Sequence, residues 1–426
     1  MAFSQPWNYS KLALIGFFYS TALLVCSFSV KAQQEEELNV KRCDFARDFL
    51  FGVSTSAVQT EGSTKSGGKG PNIWDTFLDK NPDGSLSGGV NKEGIDHYNS
   101  LIDLLITYGI KPFVTILHFD FPQILEDKYG GPLSRRFVDD FKDYAEILFN
   151  TFGDRVKNWI TMNEPLITAK YGYDFGMPPQ GRCSDRKTCK SGNSSTEPYT
   201  VAHNLLLAHA TVASLYKHKF QPIQCGLIGV TVSSLYYVPY SKSLQDRDAS
   251  KRALDFEIGW FVKPLVSEDY PKTMRKIAKD RLPRFTAEEK KLVMGSTDFI
   301  GLNYYSSMYV KSIPIKFHAP PVSSIADVFV NLTGLSQNQN DSLPLEVQLN
   351  DQSRINYILR HLYRIRKAIK NGANVKGYFY WNLFDDFEWI AGYTPRYGLY
   401  HIDYKNNLTR IPKDSAEWFK HFLKYE

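Results

Sequence analysis

Thr161-Met162-Asn163-Glu164-Pro165 is the stretch of the chain that says most about its fold. It follows the apolar run 156–160, which predicts a buried strand that ends at Asn163 and Glu164. An acid at the carboxyl end of a strand points into the mouth of an α/β sheet or barrel, where such folds hold their catalytic groups. Glu164 is therefore the first catalytic candidate. The alternative is that it only begins a helix before Pro165.

Apolar runs and amphipathic segments alternate along the rest of the chain. Strands are predicted at 49–59, 112–117, 156–164, 227–233, 299–305 and 375–385, and helices at 95–108, 137–152, 199–220, 253–265 and 355–369. Strands separated by helices indicate a parallel sheet that is buried on both faces. A TIM (β/α)8 barrel is favoured over a doubly wound sheet, because no Gly-rich strand-to-helix turn suggests a dinucleotide.

The strand count predicts that this barrel is incomplete. Six strands are evident, whereas a closed barrel of this class needs eight. Residues 84–92 leave room for a turn only, and between 309 and 350 the remaining candidate strand is the weak run 326–330. Two βα units are therefore expected to be missing or replaced.

Length and composition predict one large domain, residues 33–426. The chain has 426 residues, 43% of them hydrophobic, and no low-complexity block divides it. Its net charge of +6 is modest and dispersed, so a nucleic-acid partner is not expected.

Residues 1–32 have the features of a signal peptide. Lys11 precedes an apolar run, and Val30-Lys31-Ala32 offers small residues for cleavage. A membrane anchor is the alternative, disfavoured because Ser27, Ser29 and Lys31 follow the run closely. We expect entry into the secretory pathway, with the apoplast or the vacuole as destination, and no stable membrane span after cleavage.

Sequons and cysteines agree with secretion. Asn193, Asn331, Asn340 and Asn407 each begin an Asn-X-Ser/Thr sequon. Cys183 and Cys189 lie close enough in a polar loop to form a disulfide in an oxidising compartment. Cys225, next to the apolar run 226–230, is expected to be a small core residue.

Several motifs occur in a fixed order: STSAVQTEG at 54–62, IWD at 73–75, LHFDFPQ at 117–123, TMNEP at 161–165, GLNYY at 301–305 and WNLFDDFEW at 381–389. From about residue 45 to its end, the chain resembles the plant-type family 1 glycoside hydrolases, the β-glucosidases. The resemblance implies a retaining hydrolase that releases β-D-glucose from the non-reducing ends of small β-glucosides, without a metal or cofactor.

The resemblance also implies roles for individual residues. Glu164 would be the general acid/base, with Asn163 beside it on the sugar 2-hydroxyl group, and Tyr305 matches the tyrosine that donates to the nucleophile. The glycone subsite would be lined by Gln59, His118, Trp381, Glu388 and Trp389, and Tyr397 lies where the family has an aromatic residue. Amide, imidazole and carboxylate groups suit vicinal hydroxyl groups, and an indole suits the apolar face of a pyranose.

Two parts of the family pattern are absent. A retaining glycosidase needs two carboxyl groups about 5–5.5 Å apart. In this family the nucleophile lies in a Thr-Glu-Asn-Gly motif, which does not occur in the chain. Residues 337–341 resemble the family sequence that follows this motif, but they come directly after 332–336, so the nucleophile and its strand are expected to be deleted. The family's strand Arg-Phe-Ser-Ile-Ser-Trp, expected before 88–95, is also missing. The resemblance thus implies that the second and seventh strands of the barrel are missing or replaced, in agreement with the count of six. Asp327 is a conceivable substitute nucleophile that no motif supports. We therefore expect negligible β-glucosidase activity.

Three hypotheses follow. The chain is a β-glucosidase acting on a small-molecule β-glucoside, a non-catalytic sugar-binding or partner-binding homologue, or a splice or gene-model product that does not fold. The sequence leaves the oligomeric state open, and also the aglycone specificity, which would depend on loop residues such as 171–179.

Overall fold

A computed structural model of the chain describes residues 38–62, 72–73, 91–318, 320–333 and 345–424. The contacts within it group the described residues into two compact units. The first unit contains 38–62 and 345–424, and the second contains the described residues between 72 and 333. The signal-peptide prediction, the predicted break at 84–89 and the segment 337–341 lie outside the described residues.

Nine strands occur in this part of the chain. In chain order they are β1 Leu50–Ser54, β2 Phe113–Leu117, β3 Asn158–Asn163, β4 Leu227–Pro239, β5 Phe299–Ser312, β6 Val330–Thr333, β7 Gly377–Trp381, β8 Tyr400–Asp403 and β9 Thr409–Pro412.

The α-helices of the described residues are α1 Ala57–Thr60, α2 Lys92–Thr107, α3 Gln123–Tyr129, α4 Arg136–Phe152, α5 Pro165–Ile167, α6 Glu197–Leu215, α7 Gln221–Gln224, α8 Leu244–Asp255, α9 Ile258–Val266, α10 Lys272–Ala278, α11 Ala287–Val293, α12 Leu345–Leu349, α13 Gln352–Lys370 and α14 Asp414–Phe422. Wider π-helical turns, Thr168–Phe175 and Tyr216–Phe220, continue α5 and α6.

The second unit is built on a five-stranded sheet. Its order is β2-β3-β4-β5-β6, and β2 to β5 run parallel to one another. Helices lie between these strands in the chain: α4 buries one side, with Phe137, Phe141 and Phe149 at spacings of four and eight residues. The carboxyl ends of β3, β4 and β5 therefore meet at one edge of the sheet, and Glu164 lies at that edge.

The first unit pairs β1 with β7 in parallel, from Leu50 opposite Gly377 to Ser54 opposite Trp381. Its core is apolar and rich in aromatic side chains, including Phe45, Phe49 and Tyr380, and Ile358 and Leu362 of α13 are fully buried in it. Strands β8 and β9 form an antiparallel hairpin of their own. This core holds the carboxyl end of β7, from which the 381–389 motif begins.

All six predicted strand regions contain a strand, with corrected bounds. The first strand ends at Ser54 rather than at residue 59, because the Ser56 carbonyl group accepts hydrogen bonds from the amides of Gln59 and Thr60 and starts helix α1. The run 326–330 is not a barrel strand. It contains a 3-10 turn, Ala326–Val328, that ends at Phe329 with a φ of 51°, and β6 then pairs antiparallel with the end of β5.

The single helix predicted at 253–265 is wrong. Two helices, α8 and α9, occupy this region, because Glu257 adopts φ −111° and ψ −103° and interrupts the helical backbone. Helix α8 starts before residue 253, and this start is not evident in the sequence because α8 is mostly polar. It begins at Ser243, whose side chain accepts a hydrogen bond from the Asp246 amide.

The predicted Cys183–Cys189 disulfide is present, with an S–S distance of 2.09 Å. Cys225 is exposed, so the prediction that it is a core residue is wrong. It ends helix α7 with a φ of 53°, which turns the chain before β4 and leaves the thiol at the surface. Among the described helices, none combines the length and the apolar composition needed to cross a membrane.

Candidate active site

Glu164 lies directly after β3 and immediately before helix α5. Its φ of 45° is left-handed, a conformation that non-glycine residues rarely adopt outside constrained sites. The Glu164 amide donates to the Thr231 carbonyl oxygen of β4 at 2.9 Å, and Pro165 supplies a backbone suited to the first helical position. These constraints fix the origin of the side chain at the carboxyl edge of the sheet.

The carboxyl group of Glu164 is buried and has one close amide donor. Asn303 Nδ2, from β5, donates a hydrogen bond to Glu164 Oε1. Burial raises the pKa of Glu164 to about 7, the Asn303 hydrogen bond opposes this rise, and the Glu257 carboxylate adds to it. A carboxyl group with a pKa near 7 can both donate and accept a proton at neutral pH, as a general acid/base must.

Asn303 also connects Glu164 to two other predicted site residues. Its Nδ2 donates to Asn163 Oδ1 at 3.1 Å, and Asn163 Nδ2 lies 3.2 Å from His118 Nε2. Because the Asn163 amide nitrogen can only donate, His118 Nε2 must accept and the imidazole is neutral. Burial independently lowers the pKa of His118 to about 4. In the second unit, hydrogen bonds thus connect Glu164 through Asn303 to Asn163 and His118. Asn303 belongs to the 301–305 motif, but the sequence alone indicates no role for it.

Glu257 is a second carboxylate whose charge reaches Glu164. It is buried at the start of α9 and forms an ion pair with Lys170, six residues after Glu164. The Tyr237 hydroxyl group also hydrogen-bonds to Glu257. The carboxylate is therefore held by a cation and a phenol. Glu257 belongs to none of the sequence motifs and is far from Glu164 in the chain, so only the folded structure shows that its charge acts on Glu164.

Asp327 is held in a structural ion pair. Its Oδ2 accepts from Arg281 Nη1 at 2.6 Å and from the Tyr199 hydroxyl at 2.6 Å, and its Oδ1 accepts from Arg281 Nη2 at 3.1 Å. Both oxygens of the buried carboxylate are thus engaged. This arrangement gives Asp327 an anchoring role and removes the support for it as a substitute nucleophile.

The remaining predicted residue of the second unit is Tyr305. It lies on β5, two positions after Asn303, and 37% of its surface is exposed.

In the first unit, Gln59 is buried on helix α1. Its Oε1 accepts from the Ser56 hydroxyl at 2.7 Å, and its Nε2 donates to the Phe387 carbonyl oxygen at 2.8 Å. The Phe387 amide donates in turn to the Gln59 carbonyl oxygen at 3.2 Å. Gln59 is therefore attached to the 381–389 motif by two hydrogen bonds, both with Phe387, while the bond from Ser56 fixes the other end of its side-chain amide.

Trp381, Glu388, Trp389 and Tyr397 lie together in this unit. Trp381 ends β7 and hydrogen-bonds to Glu388, which precedes the 3-10 turn Trp389–Ala391. The Tyr397 hydroxyl group is buried and has no hydrogen-bond partner in the part of the chain that the structure describes. Burial raises the pKa of Tyr397, and the charge of Glu388 adds to that rise. Two polar residues that the sequence reading left unassigned, Asn382 and Asp386, are also buried here.

A family model described as Glycosyl hydrolase family 1 matches residues 41–83, 80–327 and 322–426. The three segments together span nearly the whole chain, and the match is interrupted at 80–83 and again at 322–327.

Known relatives match over almost their full lengths. The chain is 40% identical to β-glucosidase 12 of Oryza sativa subsp. indica, over 96% of this chain and 98% of that protein. Their alignment spans 499 residues against the 426 of this chain, so at least 73 positions have no counterpart here. The furostanol glycoside 26-O-β-glucosidase of Hellenia speciosa is also 40% identical, over 90% of this chain and 84% of that one.

Solved structures agree. A rice β-glucosidase crystal structure has a TM-score of 0.85 and 37% identity, covering 91% of this chain and all of that chain. A family 1 β-glucosidase from Thermotoga maritima has a TM-score of 0.76 and 29% identity, covering 91% and 99%. The fold is accordingly that of the α/β class, in the TIM-barrel family. On this match and these likenesses, the chain belongs to glycosyl hydrolase family 1.

Proposed function

We propose that this family 1 chain binds β-glucosides but hydrolyses them very slowly, because it keeps the acid/base Glu164 and lacks the nucleophile. The observation that carries the proposal is the environment of Glu164. Its carboxyl group can exchange a proton near neutral pH, whereas Glu257 and Asp327 are held by Lys170 and Arg281. Each of these two carboxylates serves as the partner of a cation within the fold, and neither belongs to a nucleophile motif.

The interrupted family match supports the absence of two segments. Its two interruptions lie near the positions where the sequence lacks the Arg-Phe-Ser-Ile-Ser-Trp strand and the Thr-Glu-Asn-Gly motif. The unmatched positions in the rice alignment agree with a loss of this kind. Without a nucleophile no covalent glycosyl-enzyme forms, and the retaining mechanism stops at its first step.

The residues proposed for sugar binding follow the family resemblance. Asn163 and His118 in the second unit would contact the sugar, with Tyr305 as a further hydroxyl group. Gln59, Trp381, Glu388, Trp389 and Tyr397 in the first unit would form the glycone subsite. The buried Tyr397 hydroxyl group, which has no hydrogen-bond partner among the described residues, supports this role.

We also propose that the protein matures in the secretory pathway. The disulfide supports an oxidising compartment. Asn193, Asn331 and Asn407 are exposed, as glycosylation requires, and Asn340 lies outside the described residues. The proposed ligand is a small β-glucoside, with no nucleic-acid partner.

The test is hydrolysis of a chromogenic aryl β-glucoside by the purified protein, with rice β-glucosidase 12 as positive control. We expect kcat/KM at least about 10³-fold below the control, and no further loss in Glu164→Gln. Turnover comparable to the control that Glu164→Gln abolishes would refute the proposed impairment.

Binding is measured separately by calorimetric titration with methyl β-glucoside. We expect heat of binding that Glu388→Ala removes, with the fold checked by circular dichroism. No heat at millimolar ligand would refute the proposed binding function. The third hypothesis, a chain that does not fold, predicts no cooperative thermal transition, whereas we expect one.

A further inference from the structure

The carboxyl-terminal halves of β4 and β5 present three exposed tyrosines. Tyr236 of β4, Tyr240 directly after β4, and Tyr309 of β5 are 58%, 57% and 52% exposed. Tyr237 and Val310, which alternate with them along the strands, are buried. One face of this part of the sheet is therefore packed, whereas the other is open and carries phenol rings.

The strand register brings the three tyrosines onto the same face. Val238 of β4 lies opposite Tyr309 of β5, and Tyr236 and Tyr240 are two positions to either side of Val238. Lys311, two positions after Tyr309, holds its ammonium group over the Tyr240 ring, 5.5 Å from the ring centroid. The Tyr240 ring thus has a cation against it. In the described parts of the chain, no ring or cation lies against Tyr236 or Tyr309.

The sequon residue Asn331 lies on this face as well. It is on β6, which pairs antiparallel with β5, and it is directly opposite Lys311. Residues that are directly paired project to the same side of a sheet, so Tyr309 is the diagonal neighbour of Asn331. Diagonal neighbours are about 7–8 Å apart, which large side chains can bridge. Asn331 is exposed, so a group attached to its amide can reach the Tyr309 ring.

We propose that the first N-acetylglucosamine of a glycan on Asn331 stacks on the Tyr309 ring, and that the glycan continues across this face towards Tyr236. The proposal rests on the secretory maturation proposed above and names the surface that one of its glycans covers. A pyranose has an apolar face of C–H groups that suits an aromatic ring, and the Lys311 ammonium group can donate to its hydroxyl or acetamido oxygens. Because the sugar is covalently attached, its effective concentration at the ring is high, and even a weak contact is populated.

The alternative explanation is that the tyrosines only favour the strand conformation, as aromatic residues commonly do. The glycan would then extend into the solvent, and the Tyr309 ring would react equally with and without it. A second protein is a less suitable occupant, because a bulky glycan on Asn331 would obstruct its approach to this face. The two explanations therefore differ in whether the glycan shields the ring.

The test uses the full chain secreted from a eukaryotic host, with the occupancy of each sequon measured by peptide mass spectrometry. The wild type, Asn331→Gln and Thr333→Val are treated in the folded state with tetranitromethane, which nitrates exposed tyrosines. Both variants lose the sequon, and Thr333→Val keeps the asparagine itself. We expect Tyr309 to react about fivefold more slowly in the glycosylated wild type, the ratio for a contact as strong as an aromatic pair. Tyr393 of the first unit, 53% exposed, is the internal control and should react equally in all three proteins.

The reverse experiment changes the ring and follows the glycan. Tyr309→Ser should accelerate the release of the Asn331 glycan from the folded protein about fivefold, with an endoglycosidase that cleaves between its first two sugars. Release of the glycan on Asn193 should not change. Tyr309→Phe keeps the ring and should behave as the wild type, which separates stacking from a hydrogen bond of the hydroxyl group. Tyr108→Ser, which removes an exposed tyrosine directly after α2, is the matched control and should have no effect.

The outcomes separate this proposal from the one on which it rests. Equal nitration of Tyr309 with and without the glycan would overturn the stacking proposal, and so would loss of protection in Tyr309→Phe, while secretory maturation would stand. An unoccupied Asn331 in a protein whose Asn193 or Asn407 carries a glycan would overturn it in the same way. If none of the four sequons is occupied, secretory maturation itself fails and the stacking proposal fails with it. Thermal unfolding of each variant confirms that it is folded.

Discussion

Arg281 and Asp327 form a two-point ion pair, with Nη1 to Oδ2 at 2.6 Å and Nη2 to Oδ1 at 3.1 Å. The pair joins the turn after α10 to the 3-10 turn that precedes β6, and Tyr199 of α6 donates to the same carboxylate. Arg281 also donates to the Ser195 carbonyl oxygen. Three separate parts of the second unit therefore converge on one buried carboxylate.

We predict that Asp327→Ala destabilises the protein by about 2–4 kcal/mol, because it leaves Arg281 and the Tyr199 hydroxyl without their acceptor in a buried site. Urea unfolding followed by tryptophan fluorescence measures the change. Asp280→Ala removes an exposed carboxylate next to Arg281 and is the control, with an expected effect within about 0.5 kcal/mol. Equal effects of the two substitutions would show that Asp327 is not an anchor.

Glu164 should make the folded state less stable as the pH rises. Its pKa is about 7 when folded and about 4.5 when unfolded, so above pH 4.5 the unfolded chain loses this proton first. The free energy of unfolding then falls with rising pH until about pH 7, by about 3 kcal/mol from this group.

Glu164→Gln removes this pH-dependent contribution to the free energy of unfolding. We expect the variant to match the wild type at pH 4.5 and to be more stable than it at pH 8, as measured by urea unfolding at both values. Glu288→Gln, at an exposed position of α11, is the control, and its stability relative to the wild type should be the same at both pH values. A Glu164→Gln variant that is equally stable relative to the wild type at both pH values would contradict the raised pKa.

A buried histidine should make the folded state less stable as the pH falls, which is the opposite of the effect of Glu164. His209 Nδ1 lies 2.8 Å from the Thr161 hydroxyl, and burial lowers the pKa of His209 to about 3. Below pH 6.5 the unfolded chain therefore binds a proton that the folded chain does not. Stability is lost as the pH falls from 6.5 towards 3, by about 3 kcal/mol from this residue at pH 4.

We expect His209→Asn, which keeps a polar atom near the Nδ1 position, to flatten the pH dependence of unfolding between pH 6.5 and 4. His218→Asn, on the exposed side of the Tyr216–Phe220 turn, is the matched substitution. Identical acid profiles for the wild type and His209→Asn would rule out a neutral, buried His209.

The Cys183–Cys189 disulfide closes a short loop of the second unit, with a sequence separation of six. We predict that Cys183→Ala/Cys189→Ala lowers the free energy of unfolding by about 2 kcal/mol, the entropy expected for a loop of this length. Reducing agent should have no further effect on the double variant, whereas it should destabilise the wild type. Cys225→Ala, which removes an exposed free thiol, is the control. A wild type that reducing agent leaves unchanged in stability would contradict the prediction.

The parallel strands were predictable because each is a local apolar run. The run before Glu164 and the run at 299–305 need no distant residue to be recognised, and both are strands. Bounds were less predictable where a turn depends on backbone geometry. Glu257 divides α8 from α9 by its own φ and ψ, and no periodicity in the sequence marks that break.

The sequence by itself determined the family, the succession of strands along the chain and the candidate Glu164, because these follow from contiguous motifs and local hydrophobic patterns. Only the tertiary structure decided which groups act on that carboxyl group. Asn303 donates a hydrogen bond to Glu164, 139 positions away in the chain, and Arg281 pairs with Asp327, 46 positions away. Burial, which sets the pKa of each buried acid, is a property of the packed side chains around it, so it exists only once the chain has folded.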